Sequence, residues 1–299
     1  MGEPFPICHL NGELMALPEA RISPLDRSFL FADGVYEVIP VYAGRPFRFH
    51  EHFDRLNRSC REIRLRDPHS RAAWAQITSE LLVRNHLAAG VAGTAAPDAY
   101  VYVQISRGAE AGRTHAPLPD IAPTVFAFCS PWPQRAPEIR ERGVACVTAQ
   151  DNRWGRCDIK SVALLANVLL RDAAARAGAS EVILLRDGEL TEASAATVHV
   201  LVGDEVRTPP NTQRILPGTT RSVVEELATA LGIAHRATAV TERELRAADE
   251  IWLAAATREI DAVTTLDDRP VGSGRPGPLW QRAFAEFQAL KRRLAGHPW

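Results

Sequence analysis

Long apolar runs and paired cysteines are both absent from this sequence. No stretch approaches the roughly 18 consecutive apolar residues of a membrane-spanning helix. The N-terminus has no basic head followed by an apolar run, so no secretion signal is expected. The five cysteines are odd in number, widely spaced and free of C-x-x-C pairs, which indicates reduced thiols. These absences predict a soluble, cytoplasmic protein.

The sequence also lacks an excess of charge of either sign. Its formal net charge is -1, and the basic residues are scattered rather than clustered. Bulk electrostatics therefore give no reason to expect nucleic acid or an anionic membrane as a partner. No metal is expected either, because the spacing of His50 and His52 does not bring two imidazoles to one face of a helix.

The distribution of hydrophobic residues predicts an α+β chain in two domains. With 299 residues, 46% of them hydrophobic, the chain can bury two ordinary cores. Prolines resist both helix and central strand, and their concentration predicts an interdomain linker over residues 130–137. The predicted domains are therefore a small N-terminal domain over residues 1–129 and a larger C-terminal domain over residues 138–299.

Alternation and periodicity place the individual elements. Strands are expected over residues 35–39, 100–106, 124–129, 144–149, 181–185, 189–191, 197–202 and 251–255. Helices are expected from about His50 and over residues 70–88, 161–178, 219–232 and 279–295. Asp187-Gly188, between two of the strands, is a strong hairpin signal.

Lys160 is the first candidate for chemistry. It ends the segment 153–160 between a predicted strand and a predicted helix, and Glu192 follows one hairpin later. A lysine fixed in this way suits a Schiff base with pyridoxal phosphate (PLP), whose pyridine nitrogen a carboxylate then holds. Lysines and glutamates are common, so this assignment depends on other segments that supply the rest of such a site.

The start of the helix predicted at Thr219 is a candidate phosphate site. A helix N-terminus offers free backbone N–H groups and a partial positive charge, and the hydroxyls of Thr219 and Thr220 add donors. Capping of the helix by a threonine is the alternative for this segment alone. Arg55, on the helix predicted to begin near His50, can grip a phosphate with two guanidinium nitrogens.

The loop over residues 108–119, between two predicted strands, carries a candidate substrate site. Arg113 and His115 are two residues apart in an extended segment, so their side chains point the same way and can clamp a carboxylate. A surface loop with unrelated charges is the alternative.

Taken together, these segments resemble the D-amino-acid aminotransferases, a branch of the fold type IV PLP enzymes. The branched-chain aminotransferases and aminodeoxychorismate lyase share this fold. The resemblance runs along nearly the whole chain, with the same order and similar spacing of motifs. The segments that carry it are residues 26–28, 33–37, 52–56, 113–115, 153–161, 191–194 and 218–221.

The resemblance implies the architecture and the cofactor site. It implies a small α/β N-terminal domain and a larger C-terminal domain that contains a pseudo-barrel sheet. Lys160 is then the catalytic residue that forms the Schiff base with PLP, and Glu192 pairs with the pyridine nitrogen. The remaining cofactor-binding positions are Arg55, Ser194, Thr219, Thr220 and Thr257.

The resemblance also implies the reaction and the substrate site. In the D-amino-acid branch, an amino group moves between a D-amino acid, such as D-alanine or D-glutamate, and a 2-oxo acid, such as pyruvate or 2-oxoglutarate. The reaction is of the ping-pong type. Tyr36, Arg113 and His115 fill the positions that trap the substrate carboxylate. Because the Arg-x-His loop of the trap comes from the neighbouring subunit, a homodimer is implied.

Four positions depart from the family pattern. In the glutamate segment, Thr197 stands where asparagine is usual, and His199 stands where an aromatic residue is usual. On the last strand on the phosphate side, Ala256 stands where threonine is often found, with Thr257 next to it. Arg258 adds a charge where a small residue is more usual. These departures bear on cofactor affinity and substrate range.

Three other functions remain open. The first is transamination of branched-chain L-amino acids or (R)-amines. The branched-chain enzymes lack an Arg-x-His loop such as that of Arg113 and His115, which favours the D-amino-acid branch. The second is a lyase that acts on an amino-chorismate and releases pyruvate. The third is a binding protein that has kept the fold, against which the set Lys160, Glu192 and Arg55 argues.

Overall fold

The structure, a computed structural model, describes residues 2–88, 96–132 and 137–294. Contacts divide these residues into two compact units. The first unit contains residues 2–88, 96–132, 159–163 and 293–294, and the second contains residues 137–158 and 164–292. Strands and helices occur in both units, so the predicted α+β class is confirmed.

In its described part, the first unit contains one antiparallel sheet of six strands. The strands are β1 (Ile7–Leu10), β2 (Glu13–Ala16), β3 (Gly34–Tyr42), β4 (Arg45–Pro46), β5 (Ala99–Ser106) and β6 (Thr124–Pro131). Their order across the sheet is β2-β1-β6-β5-β3-β4. Burial alternates along β5, as expected for a sheet that buries one face. Tyr36 on β3 lies opposite Gln104 on β5, and both are on the less buried face.

Two helices, α2 (Phe49–Glu62) and α3 (Arg71–Arg84), cover the buried face of this sheet. A short helix, α1 (Arg27–Phe31), precedes β3. In α2, the apolar residues Phe49, Phe53, Leu56 and Cys60 recur at helical spacing and are buried in the core of the unit. The helix predicted from about His50 is therefore confirmed within one residue.

In its described part, the second unit contains a larger sheet of nine strands. The strands are β7 (Val144–Gln150), β8 (Glu181–Arg186), β9 (Glu189–Ala193), β10 (Thr197–Val202), β11 (Glu205–Thr208), β12 (Ala234–Ala237), β13 (Glu250–Ala255), β14 (Glu259–Leu266) and β15 (Arg269–Pro270). Their order is β12-β11-β10-β13-β14-β7-β8-β9, with β15 paired to β14. The pairs β7–β8, β7–β14 and β11–β12 are parallel, and the other pairs are antiparallel.

The helices of the second unit are α4 (Pro137–Arg142), α5 (Leu165–Arg176), α6 (Thr219–Ala230), α7 (Glu242–Arg246) and α8 (Pro278–Leu294). The predicted hairpin is confirmed between β8 and β9. Asp187 and Gly188 have φ of 57° and 77°, the left-handed values that a two-residue hairpin turn requires. None of the described helices combines the length and the apolar character needed to span a bilayer.

Two local predictions differ from the structure. The helix predicted from residue 161 begins only at Leu165, because the preceding residues pair with β3: Val162 N–H donates to the Gly34 carbonyl over 3.0 Å. β6 continues through Pro131, so Ser130 and Pro131 belong to a strand although they were predicted to begin the linker. Residues 133–136 of that linker lie outside the described part of the chain.

Candidate active site

Lys160 belongs to the first unit, where backbone hydrogen bonds fix its position. The Lys160 carbonyl accepts from the backbone N–H of Tyr36 over 3.0 Å, and the Lys160 N–H donates to Ser59 Oγ over 3.3 Å. The lysine is thereby fixed to both β3 and α2. Its Nζ lies 4.1 Å from the centroid of the Tyr36 ring, which stacks on Tyr102. Within the described residues, the ammonium of Lys160 forms no ion pair.

Arg55 lies on the buried face of α2 and is held by a carboxylate from β3. Its Nε and Nη2 donate to the two oxygens of Glu37 over 2.7 and 2.8 Å. His52 Nδ1 lies 2.7 Å from Glu37 Oε2. Burial would raise the pKa of Glu37, but the charges of Arg55 and His52 outweigh it and hold the pKa well below its usual range. Arg55 is thus a fixed cation, held by Glu37 together with His52.

Glu192 lies on β9 in the second unit and is buried beside an arginine. Arg153 Nη1 donates to Glu192 Oε1 over 2.5 Å, and two further nitrogens of Arg153 donate to Asp151 over 2.9 Å each. Burial raises the pKa of Glu192, and the charge of Arg153 acts in the opposite direction. Because burial disfavours the charged form of this carboxylate, a further cation or N–H donor beside it would stabilise that form.

The N-terminus of α6 is connected to Glu192 by its backbone. The N–H of Leu216 donates to Glu192 Oε2 over 3.2 Å, and the helix begins three residues later with Thr219 and Thr220. A Cβ at Gly218 would lie 2.8 Å from Thr197 Oγ1, which is closer than side chains approach one another. The glycine leaves room at the helix N-terminus, where N–H groups are available to an anion.

Arg113 and His115 lie in an exposed loop of the first unit and converge on one aromatic ring. The guanidinium carbon of Arg113 is 4.9 Å from the centroid of Phe31 on α1, and the ring of His115 is 5.4 Å from it. Neither side chain forms an ion pair with any residue that the structure describes. The two groups therefore form one exposed cationic and hydrogen-bonding surface that can bind a carboxylate.

Of the other residues singled out in the sequence, Ser194 and Arg258 have partners within the second unit. Ser194 follows β9 and bonds through its hydroxyl to the buried carboxylate of Glu181. Thr257 lies half-buried in the turn between β13 and β14. Arg258 forms ion pairs with Glu181 and Asp261, so carboxylates of the same unit balance the extra charge at this position.

The roles of Glu37 and Arg153 were not predicted. Both lie in segments that carry the family resemblance, but their partners are far away in sequence: Glu37 bonds Arg55 18 residues on, and Arg153 bonds Glu192 39 residues on. In the sequence, the one local indication of a role for Glu37 is that it is an acidic residue among the apolar neighbours of a predicted strand.

Comparison with known proteins identifies the family. The Amino-transferase class IV family matches residues 34–266, which is most of the chain. This protein therefore belongs to the class IV aminotransferases. It is 39% identical to the D-alanine aminotransferase of Bacillus licheniformis over 278 residues, covering 93% of this chain and 94% of that one.

Solved structures of aminotransferases have a similar fold. The branched-chain amino acid aminotransferase of Escherichia coli superposes with a TM-score of 0.84 at 25% identity, covering 95% of this chain and 93% of that one. A hypothetical aminotransferase from Mycobacterium tuberculosis, in a PLP-bound form, has a TM-score of 0.82 at 26% identity, with coverages of 95% and 98%. The predicted fold type IV architecture and enzyme class are confirmed, and class IV aminotransferases use PLP.

Proposed function

We propose that this chain is a PLP-dependent transaminase that moves an amino group between a D-amino acid and a 2-oxo acid. D-alanine or D-glutamate would serve as donor, and pyruvate or 2-oxoglutarate as acceptor. The observation that carries this proposal is the exposed pair Arg113 and His115, held together on Phe31 without a carboxylate partner among the described residues. The similarity to D-alanine aminotransferases supports it.

The residues present fit the cofactor. Within the part of the chain that the structure describes, the side-chain nitrogen of Lys160 forms no ion pair and lies beside an aromatic ring, as expected of a lysine that bonds to the cofactor aldehyde. Glu192 is a buried carboxylate suited to the pyridine nitrogen, and the open N-terminus of α6 suits a phosphate. The remaining residues that would hold the cofactor are Arg55, Ser194, Thr219, Thr220 and Thr257. When bound, PLP supplies an electron sink for the bond that breaks at the substrate Cα.

The proton steps belong to Lys160. Its Nζ would take the proton from the substrate Cα and donate it to the cofactor, and it would move a proton in the reverse direction in the opposite half-reaction. The backbone bonds from Tyr36 and to Ser59 limit the positions that Nζ can reach, which favours proton transfer on one face of the substrate. Glu192, kept ionised, would favour the protonated form of the pyridine nitrogen.

We further propose that the enzyme is a homodimer in which Arg113 and His115 serve the neighbouring subunit. The described part of the chain leaves one face of α5 uncovered: Leu165, Val168 and Leu169 are 72%, 58% and 60% exposed. These residues are spaced by three and four, so they form one apolar stripe, as at a subunit interface. On α1, Phe29 is also 76% exposed.

A transaminase for branched-chain L-amino acids is the second candidate. The similarity in fold to the Escherichia coli branched-chain enzyme favours it. Its expected substrates, such as L-leucine, have no D-configured Cα, so handedness distinguishes the two candidates.

The deciding experiment follows the visible absorbance of the PLP-loaded protein while D-alanine, L-leucine or an (R)-amine is added alone. Loss of the band of the lysine-bound cofactor with D-alanine, and not with L-leucine, is the expected result. A response to L-leucine alone would transfer the protein to the second candidate. The absence of such a band in the loaded wild type, or a normal band in Lys160→Ala, would contradict the role of Lys160.

The role of Arg113 has its own test. A charged hydrogen bond is worth about 1.5–3 kcal/mol, so Arg113→Ala should lower kcat/KM for D-alanine about ten- to a hundredfold. Arg84→Ala, at an exposed arginine at the end of α3, is the matched control and should leave kcat/KM unchanged. Equal kcat/KM in Arg113→Ala and wild type would refute the carboxylate site.

A further inference from the structure

A buried arginine lies beneath the loop that carries Arg113 and His115. Arg27, on α1, is 3% exposed, and its guanidinium donates to the backbone carbonyls of Thr114 and His115 over 2.8 Å each. These are the two carbonyls that directly follow Arg113 in the chain. Because the charged guanidinium donates to two consecutive carbonyls, it fixes the loop backbone beside the side chains that are proposed to bind the substrate carboxylate.

The same arginine holds a carboxylate that closes the loop on itself. Arg27 Nη1 forms an ion pair with Glu110 Oε1, and Glu110 Oε2 accepts from the backbone N–H of Leu118 over 3.1 Å. Glu110 therefore joins the two ends of the loop, and its side chain is 3% exposed. An ion pair buried to this extent is little screened by salt.

Arg27 itself rests on a rigid base. Its backbone N–H donates to the Gly108 carbonyl over 2.8 Å, and its Nε donates to Asp33 over 2.9 Å. The preceding residue, Asp26, is fully buried and accepts from the hydroxyls of Ser28, Ser106 and Thr124. The start of α1 is thus hydrogen-bonded to strands β5 and β6. Because both strands belong to the sheet, Arg27 holds the loop in a fixed position relative to the sheet.

Phe31 completes the arrangement. The guanidinium carbon of Arg27 is 4.7 Å from the centroid of the Phe31 ring, and that of Arg113 is 4.9 Å from it. A cation over an aromatic ring is attracted by the ring quadrupole, so Phe31 sets where Arg113 rests before any substrate arrives.

We infer that Arg27 and Glu110 are positioning residues that order the loop for recognition of the substrate carboxylate. This inference rests on the proposed function, because it takes Arg113 and His115 as the carboxylate site. Ordering a loop costs backbone entropy, and a loop that is ordered in advance does not meet this cost again on binding. Loosening the loop should therefore weaken substrate binding more than it slows proton transfer at Lys160.

Glu110→Gln is the appropriate variant, because it keeps the size of the side chain and removes its charge. Arg27→Lys is the second variant: it keeps a positive charge but cannot reach both carbonyls and two carboxylates. Complete removal of Arg27 would leave buried carboxylates unpaired and could prevent folding. Arg107→Gln is the matched control, since Arg107 also bonds Asp33 but donates to the carbonyls of Ile63 and Arg64 instead of the loop.

Two measurements test the inference. Hydrogen–deuterium exchange of residues 108–119, which needs no activity, should become at least about tenfold faster in Glu110→Gln and in Arg27→Lys. The KM for D-alanine should rise about tenfold in both variants, with kcat within about twofold of wild type. Arg107→Gln should leave the exchange of residues 112–119 and the KM unchanged.

The outcomes separate this inference from the proposed function. Unchanged exchange in both variants would overturn the role of Arg27 and Glu110, whatever the wild type does with D-alanine. Faster exchange with unchanged KM, while Arg113→Ala raises the KM, would also overturn it. If Arg113→Ala leaves the KM unchanged too, the carboxylate site itself is wrong, and the inference falls with it.

Discussion

At the scale of single residues, the charge of Glu192 depends on Arg153. Burial raises the pKa of Glu192, and the guanidinium of Arg153 opposes that effect from 2.5 Å. Arg153 cannot easily turn away, because two of its nitrogens are bonded to Asp151. A protonated ring nitrogen at Glu192 would add a second positive charge and favour the ionised carboxylate further.

Glu192→Gln tests this assignment. The amide keeps the shape of the side chain but loses the charge that would pair with the ring nitrogen, so kcat should fall about ten- to a hundredfold at saturating PLP. Asp151→Asn is the matched control, since it also removes a carboxylate from Arg153 and leaves Glu192 in place. It should lower the melting temperature and leave kcat within about threefold of wild type. Equal losses of kcat in the two variants would contradict a specific role of Glu192.

Single residues differ in how far their roles could be predicted from the sequence. Lys160, Glu192 and Arg113 lie in motifs of short range, so their chemistry could be proposed from spacing and from the family resemblance. Arg27 meets Glu110 across 83 residues of sequence, and such a pair leaves no local pattern. Its function depends on the fold that brings α1 to the loop, and only the structure shows it.

At the scale of elements, the N-terminus of α6 depends on a small contact with β10. Gly218 precedes the helix with an ordinary φ of -73°, so an alanine there is not strained by its backbone. Its added Cβ would instead approach Thr197 Oγ1 at 2.8 Å. Gly218→Ala should therefore displace the helix N-terminus and weaken PLP binding about tenfold, measured as the dissociation constant of PLP from the apoprotein.

A second substitution can reverse that effect. Thr197→Ala removes the hydroxyl that the new Cβ would meet, so Gly218→Ala combined with Thr197→Ala should recover most of the affinity for PLP. Thr197→Ala alone is the control and should change the dissociation constant by less than about threefold. Equal weakening in the single Gly218→Ala variant and the double variant would show that Gly218 acts in another way.

A buried histidine on β10, His199, lies beside the half-buried His235 on β12. His199 is fully buried, its ring lies 5.8 Å from that of His235, and neither of its ring nitrogens is hydrogen-bonded within the part of the chain that the structure describes. Burial, His235 and Arg221 hold the pKa of His199 well below its usual range. The native protein therefore contains the neutral imidazole, whereas the unfolded chain binds a proton near pH 6.5.

This difference makes stability depend on pH. Because the unfolded state binds more protons below about pH 6.5, stability should be greatest above that pH and should fall at up to about 1.4 kcal/mol per pH unit for this histidine as the pH decreases. His199→Phe should flatten this dependence between pH 7 and 5, measured by urea unfolding. His50→Gln, at an exposed histidine, should not change it. An unchanged slope in His199→Phe would refute the assignment.

Elements with regular patterns could be predicted, and those with long-range partners could not. The hairpin of β8 and β9 and the helices α2, α6 and α8 lie close to their predicted bounds, because turn residues and periodicity specify them locally. β14 was not predicted, since Glu259 and Asp261 interrupt its apolar pattern. Both are buried in the structure and are paired with Lys291 and Arg258 respectively. Lys291 from α8 and Arg258 from the preceding turn thus permit acidic residues in a central strand.

At the scale of the whole molecule, the proposal to be tested is that Arg113 and His115 of one subunit complete the site of the other subunit. The stripe formed by Leu165, Val168 and Leu169 supports a dimer, but burial of that stripe alone does not determine which subunit each loop serves. Two variants with different defects can determine it. Lys160→Ala keeps the loop intact and lacks the lysine proposed for proton transfer, whereas Arg113→Ala keeps the lysine and has a defective loop.

Mixing the two variants by unfolding and refolding together gives heterodimers. If each loop serves the partner's lysine, every heterodimer contains one complete site, formed by Lys160 of one subunit and Arg113 of the other. Random assortment makes half of the dimers mixed, so the mixture should reach about a quarter of the wild-type rate at low D-alanine. If each loop serves its own subunit, no heterodimer contains a complete site, because every subunit lacks either the lysine or the arginine. The rate of the mixture would then not exceed that of the Arg113→Ala protein alone, and the proposal that Arg113 acts across the interface would be wrong.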